Sequence, residues 1–587
     1  MAFSKTGLLE NEMFATSRRL SVLVNVPLFL LLLAGCAAPA PARDGAPSSS
    51  SAQAAPKRIT AALMGDPPTT SVKVTSSGGG SIPGQAELEE MVNAGLTQID
   101  NLGAVRPVYA EAAPSVENGL WTVAPDGRME TTWRIRDGAR WHDGTPLTAN
   151  DLVFTTQVGR DADIPNFSSL AYRSVESVDA VDPRTVRVKW NRPFVEADML
   201  FGIADSFPMP RHLLERAYVE DKTTLHQLPY WGVDYVGLGP YRVGEWVPGS
   251  HLLLHANPDY PLGRPKIDVI ELKFIPDSST LGANILAGTV ELTMGRNLSL
   301  EQAAQIRDQW RDGRMEARLS NWLVMFPQFL NPSPAVISSV QFRRALLHAT
   351  DRQQMVDTLE GGLSFVGHSL LSPNQAEFKE IEERLIRYEY DPRKAADMIT
   401  ALGYTKAADG MFRDASGQRL SVEVRTTADN DIHRSTLTAV ADYWQRAGVG
   451  VEQVIVPIQR QRDREYRANF PGFDMLKNPN DIRALQRLHS SESRLPENNY
   501  VGANYARYMV PEFDAMLDRY FVTIPKRERI QALGEIIHHV SDQLNVMGLF
   551  YDTEPLMIGN RLRNVASNPI PRSSPVWAIY EWDVARL

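Results

Sequence analysis

Few residues in this 587-residue chain have the types and spacing that chemistry requires. His251 and His255 stand four apart, as a metal pair would, but Leu252-Leu253-Leu254 lies between them and the run reads as a strand. A zinc hydrolase needs His-Glu-x-x-His on a helix, with the glutamate as base. Gly237-Leu238-Gly239-Pro240-Tyr241 opens like a glycine-rich phosphate loop, yet the third glycine is missing and Pro240 withdraws an amide, so it reads as a structural turn. No Gly-x-Ser-x-Gly elbow, phosphate-loop Gly-Lys-Ser/Thr or carboxylate pair at diagnostic spacing is present. Catalytic, metal and cofactor residues are therefore not expected.

The remaining reactive group is Cys36, the one cysteine of the chain. It follows Arg18-Arg19, an apolar run from Val22 to Ala34 and the small pair Ala34-Gly35, which together resemble a bacterial lipoprotein signal. A thiol at a new amino terminus can carry a diacylglyceryl group, and two acyl chains anchor stably. The run is shorter than the roughly 18–20 apolar residues of a membrane-spanning helix and is broken by Asn25 and Pro27. Residues 1–35 are thus expected to be the signal peptide, read from Met1 or from Met13, and Cys36 the lipidation site. With Cys36 so used, a disulfide framework and a thiolate metal site are excluded together.

Around these groups the chain supplies positioning elements. Residues 36–57 are a Pro/Ala/Ser-rich stretch too poor in large apolar side chains to make a core, hence a tether of about 25 Å typical reach. Thr131–Arg136 and Thr185–Trp190 alternate as strands, and Asp126-Gly127, Asp137-Gly138 and Asp143-Gly144 mark turns. Thr148 and Asp151 have capping-box spacing ahead of Leu152-Val153-Phe154. Asp391 caps a helix with Pro392 at its first position, Ala395, Met398, Ile399 and Leu402 on one face and Gly403 at its end. A further helix runs through Leu437, Val440, Ala441 and Trp444, and after Gly448 the pattern becomes a strand of Val449, Val451, Val454 and Val456, the alternation of an α/β lobe.

Length implies two to four domains or lobes. Removing residues 1–35 takes away three basic and two acidic residues and moves the formal charge from -9 to -10. That balance speaks against nucleic-acid binding, which favours a basic excess. The basic patch Arg460 to Arg467 is expected to be a solvated helix face.

Several segments carry a resemblance. Trp133-Arg134-Ile135-Arg136-Asp137-Gly138-Ala139-Arg140-Trp141-His142-Asp143-Gly144-Thr145-Pro146 through Phe154, then Gly237 to Tyr241, Asn257-Pro258-Asp259-Tyr260, Gly263 to Asp268 and Phe342 to Arg352, occur in an order and spacing similar to the extracytoplasmic solute-binding proteins of ABC importers, the large peptide- and nickel-binding family often called family 5. Asp391 to Tyr404 and Asn504 to Leu517 fit as well.

The resemblance implies an α/β, two-lobed periplasmic-binding-protein fold with an inserted third domain and an interlobe ligand cleft. Lobe I is expected in residues 58–100, 237–325 and 540–587, the insertion in 101–236 and lobe II in 326–539. It implies capture of a small peptide or other polar solute, closure around it, and delivery to an ABC permease whose cytoplasmic ATPases supply the energy, by a monomer lipid-anchored outside the cytoplasm. Peptide-binding members often place an acidic residue for the ligand's amino terminus in a Trp- and Asp-rich stretch after Tyr-Asp-Met. This chain departs, reading Phe473-Asp474-Met475-Leu476-Lys477-Asn478-Pro479-Asn480-Asp481. Asp481 is left either to serve there or to cap a helix ahead of Ile482. Peptide is the first solute class, with oligosaccharide, opine or metal chelate open. Met64, Thr69, Gln328, Asn331, Asn478 and Asp481 are the expected cleft residues, each with a loop or core role as its alternative. A secreted lipoprotein hydrolase, or a structural or signalling lipoprotein, are the readings from other classes.

Overall fold

The computed structural model describes residues 55–78, 82–202, 207–427, 431–568, 570 and 573–585. The expected signal peptide, Cys36 and nearly all of the tether lie outside the described residues. Among the described residues, the two larger sheets are made of β1 (Arg58–Leu63), β2 (Trp121–Val123), β3 (Met129–Arg134), β4 (Val175–Asp182), β5 (Thr185–Trp190), β6 (Tyr241–Val247), β7 (His251–Ala256), β8 (Val269–Phe274), β9 (Leu292–Thr293), β10 (Gly313–Pro327), β11 (Ser421–Thr427), β12 (Gly450–Val456), β13 (Phe473–Pro479) and β14 (Met547–Gly559). Ten of them form one mixed sheet in the order β12-β11-β13-β10-β14-β9-β1-β8-β7-β6.

Helices cover both faces of this sheet, so its strands bury side chains in both directions, as parallel strands such as β1 and β8 require. At one end Ile59, Ala61 and Leu63 enter one core with Ile270 and Leu272, while Ala62 enters another with Leu281 and Ile285. At the other end Leu323, Met325 and Val424 pack beneath Trp444, while Trp322, Val324 and Tyr551 pack against Leu485 and Ile536. A fold of two α/β lobes results.

Strands β10 and β14 serve both lobes. Residues 313–319 pair with 553–559, and 322–325 with 547–551; the register slips between Leu319 and Trp322 and again between Leu323 and Val324. Leu544 to Tyr551 pack in second-lobe cores, and Leu556 and Ile558 in a first-lobe core. On β10, Leu319 and Trp322 pack together in a second-lobe core, and on β14 Tyr551 joins them. Helix Lys526–Gln543 and the start of β14 bury their apolar faces in the same lobe's cores.

The insertion carries its own sheet, β2-β3-β5-β4, over a core of Trp133, Trp141 and Trp190. Its helix Ala149–Arg160 begins at the capping box: Thr148 N and Oγ1 both donate to Asp151 Oδ2, at 2.8 and 2.9 Å. Phe154, Val158 and Trp231 carry the insertion into the core beneath β1. Gly237 and Gly239 have a packing cause, since a Cβ on either would stand 2.1 and 2.3 Å from the Val92 backbone. The glycines serve this close approach, and the segment itself is extended into a bend at 239–240 rather than a turn.

Candidate ligand cleft between the lobes

The cleft is built where β10, β13 and β14 lie side by side. Leu323 is opposite Lys477 in the β10–β13 register, and Lys477 Nζ donates to Asp552 Oδ2 on β14 at 2.5 Å. The same oxygen accepts from Ser320 Oγ at 3.3 Å and from Arg296 Nη1 at 3.2 Å. Arg296 lies between β9 and the capped helix Leu300–Gln309 of the first lobe. From the second lobe, Glu360 ends helix Arg352–Leu359 and accepts from Thr553 N at 3.0 Å. Asp431 opens helix Asp431–Ala447.

These elements enclose a cavity of about 410 Å³, with Arg296 and Leu300 on one side, Glu360 and Asp431 on the other and Asp552 and Thr553 at the floor. Asp552 is 1% and Glu360 2% exposed. Burial raises both carboxyls, the Asp552 charge adds to the effect on Glu360, and the Arg296 guanidinium opposes it. Fixed charges of both signs beside a polar cavity can orient a polar or ionic solute.

The expected cleft residues are not brought together as a set. Met64 follows directly on β1, half-buried. Thr69 is held in its own loop, its hydroxyl donating to Ser71 O at 2.9 Å and its carbonyl accepting from Gln85 Nε2 at 2.8 Å. Gln328 is 0% exposed and spends its amide within the second lobe: Nε2 donates to Phe470 O at 3.0 Å, and Oε1 accepts from Leu330 N and Arg507 Nε. Asn331 is exposed just beyond β10. Asn478 is buried on β13 opposite Trp322, with no hydrogen-bond partner for Oδ1. Asp481 caps helix Ile482–Leu488 by accepting from Ala484 N at 3.1 Å.

The basic patch departs from a solvated face. Arg460 pairs with Asp463 on the surface, but Arg467 turns inward to Asp474 Oδ2 at 2.9 Å, because Asp474 on β13 is 0% exposed and also faces Arg425. Arg296, Glu360 and Asp552 were not singled out by motif or spacing. One signal was present: Glu360 puts a negative charge at a helix carboxyl end, where the helix dipole disfavours it.

A family model described as "Bacterial extracellular solute-binding proteins, family 5 Middle" matches residues 111–486. The oligopeptide-binding protein AppA of Bacillus subtilis (strain 168) is 22% identical over 512 residues, covering 85% of this chain and 87% of that protein. Among solved structures, AppA of B. subtilis in complex with a nonapeptide superposes with a TM-score of 0.67 at 19% identity, over 90% of this chain and 100% of that one. NikZ of Campylobacter jejuni in complex with Ni(L-His) gives 0.68 at 19% identity, over 89% and 99%.

Proposed function

The chain belongs to family 5 of the bacterial extracellular solute-binding proteins, and from that premise we propose that it is the capture component of an ABC importer, taking up a peptide or similar polar solute between its lobes and passing it to a permease. The observation that carries this is the cavity faced by Arg296 from the first lobe and by Glu360 from the second, with Asp552 at the crossing between them. A solute touching both walls favours the arrangement in which the walls are close, and its differential affinity drives closure. The permease and its ATPases supply the energy; this chain makes and breaks no bond.

Peptide is the leading solute class, supported by the relative named for oligopeptide binding. Oligosaccharide, opine and metal chelate are the alternatives, the last supported by the superposition on the Ni(L-His) complex. Thermal-shift measurement against peptide, sugar and chelate libraries tests the reading. A saturating ligand at 100 times its Kd should add about 2.7 kcal/mol of stability. No shift from any class would overturn solute capture.

We also propose that Cys36 holds the protein to the outer side of the membrane through acyl chains, supported by the Ala34-Gly35-Cys36 sequence after the apolar run. Cys36→Ala is expected to abolish metabolic labelling by fatty acid and to release the protein or leave it unprocessed. Persistent labelling of that variant would rule the anchor out.

A further inference from the structure

We propose that residues 193–196 of the insertion are a releasable strap that fastens to the second lobe and holds the lobes together before any solute binds. The insertion is carried by the first lobe, into whose core it sends Phe154, Val158 and Trp231. After β5 its chain reaches across to the second lobe. The strap goes beyond solute capture, because it sets how often the unliganded protein opens.

Three contacts fasten it. The last carbonyls of an α-helix have no partner within that helix. Val195 N supplies one at the end of helix Pro511–Val522, donating to Phe521 O at 3.1 Å. Glu196 Oε2 pairs with Arg483 Nε at 2.7 Å, the two side chains being 8% and 22% exposed. The Val195 side chain enters the second-lobe core that holds Leu319, Trp322 and Phe521. In exchange Ile524, just past the same helix, packs against the core of the insertion.

The seam around the strap is not filled. A groove of about 230 Å³ lies between Arg173, Arg192 and Phe194 of the insertion and Glu492, Leu517 and Asp518 of the second lobe. Domains joined permanently share a large apolar contact, and smaller contacts leave them free to part. Guanidinium groups on the insertion wall face carboxylates on the second-lobe wall, and that opposite charge draws the walls together after each opening. When they part, the Val195–Phe521 hydrogen bond, the Glu196–Arg483 pair and the burial of Val195 and Ile524 are lost together. Water then hydrates Glu196 and Arg483 again, which offsets much of the lost attraction and makes the fastening reversible.

Residue-resolved hydrogen exchange of the unliganded full chain tests this, read at Val195 and, for reference, at the amides of β8. Val195 is expected to exchange faster than β8 yet at least about tenfold slower than an exposed amide, the mark of an opening that leaves both cores folded. Arg483→Gln and Ile524→Ala should each speed exchange at Val195 by about tenfold without changing β8, and should raise the radius of gyration in small-angle X-ray scattering. Glu196→Gln reads the same pair from the insertion, and combined with Arg483→Gln should add little to either change alone. A Val195 amide as slow as β8 in the parent chain and in every variant would make the contact a fixed joint and overturn the strap. Exchange at the exposed rate in the parent chain, or variants identical to it, would overturn the strap as well. Each of these results leaves solute capture standing.

Discussion

Asp474→Ala is expected to lower stability by about 3–5 kcal/mol, the cost of breaking a buried ion pair. Asp474 is 0% exposed on β13 and lies between Arg467 Nη2 at 2.9 Å and Arg425 Nε at 3.5 Å. The Arg425 guanidinium also donates to Tyr466 O at 3.0 Å and stacks over the Phe470 ring at 4.6 Å. Removing the carboxylate leaves two guanidinium groups, 2% and 8% exposed in their side chains, without their counter-charge. The shift in urea midpoint reads the effect. A loss below about 1 kcal/mol would place this network with surface pairs. The exposed pair Arg446 with Asp442 is the control, and Asp442→Ala should cost less than about 0.5 kcal/mol.

The second large effect is on pH dependence. Stability is expected to fall as pH rises from about 6.5 to about 9, by up to about 1.4 kcal/mol per pH unit for each proton retained. Burial pushes Glu89 up to about 7 and Glu90 up to about 8 from an ordinary 4.5. Burial and the Asp552 charge raise Glu360 as well. The unfolded chain has released these protons by neutral pH while the folded chain holds them. Their stabilising contribution is therefore complete below the ordinary carboxylate range and lost as pH passes the folded values. Burial acts oppositely on histidine, holding His142 down to about 4 and His368 to about 3, which makes the unfolded chain the proton binder on the acid side. Confining the urea series to the alkaline side separates the two. Glu360→Gln, which mimics the protonated carboxyl, should show a shallower decline; a slope identical to the parent chain would refute the assignment to Glu360.

Local elements were readable because their causes are local. Thr148 and Asp151 are three residues apart, and they make the capping box. Asp391 reaches the amides of Arg393 and Lys394, and helix Pro392–Ala401 follows. Gly127, Gly138, Gly144 and Gly403 take positive φ where turns or helix ends were read. The alternation after Gly448 became β12. Resemblance supplied the two-lobed arrangement, which periodicity could not.

The cleft was less readable because its contacts are remote in sequence. Lys477 stood out as a departure, but its partner Asp552 lies 75 residues away, and Arg296 meets Asp552 across 256. Gln328 was read as a cleft residue from its place at a crossing; only the fold shows it turned toward Phe470. Gly237 and Gly239 likewise have their cause far off in sequence, in the backbone of Val92, 145 and 147 residues away. Asp481 had both roles open, and its side chain binds the amide of Ala484.

The paired crossing of β10 and β14 has a mechanical consequence. One flexible connection would leave a lobe free to swivel about three axes. Two antiparallel strands side by side resist torsion and shear, so bending at the register slips near Ser320 and Asp552 is the soft mode that remains. The search for the closed arrangement is then nearly one-dimensional, and little orientational entropy is lost in completing it. A weakly attractive solute can hold such a door shut, because the frame has already aligned the latch.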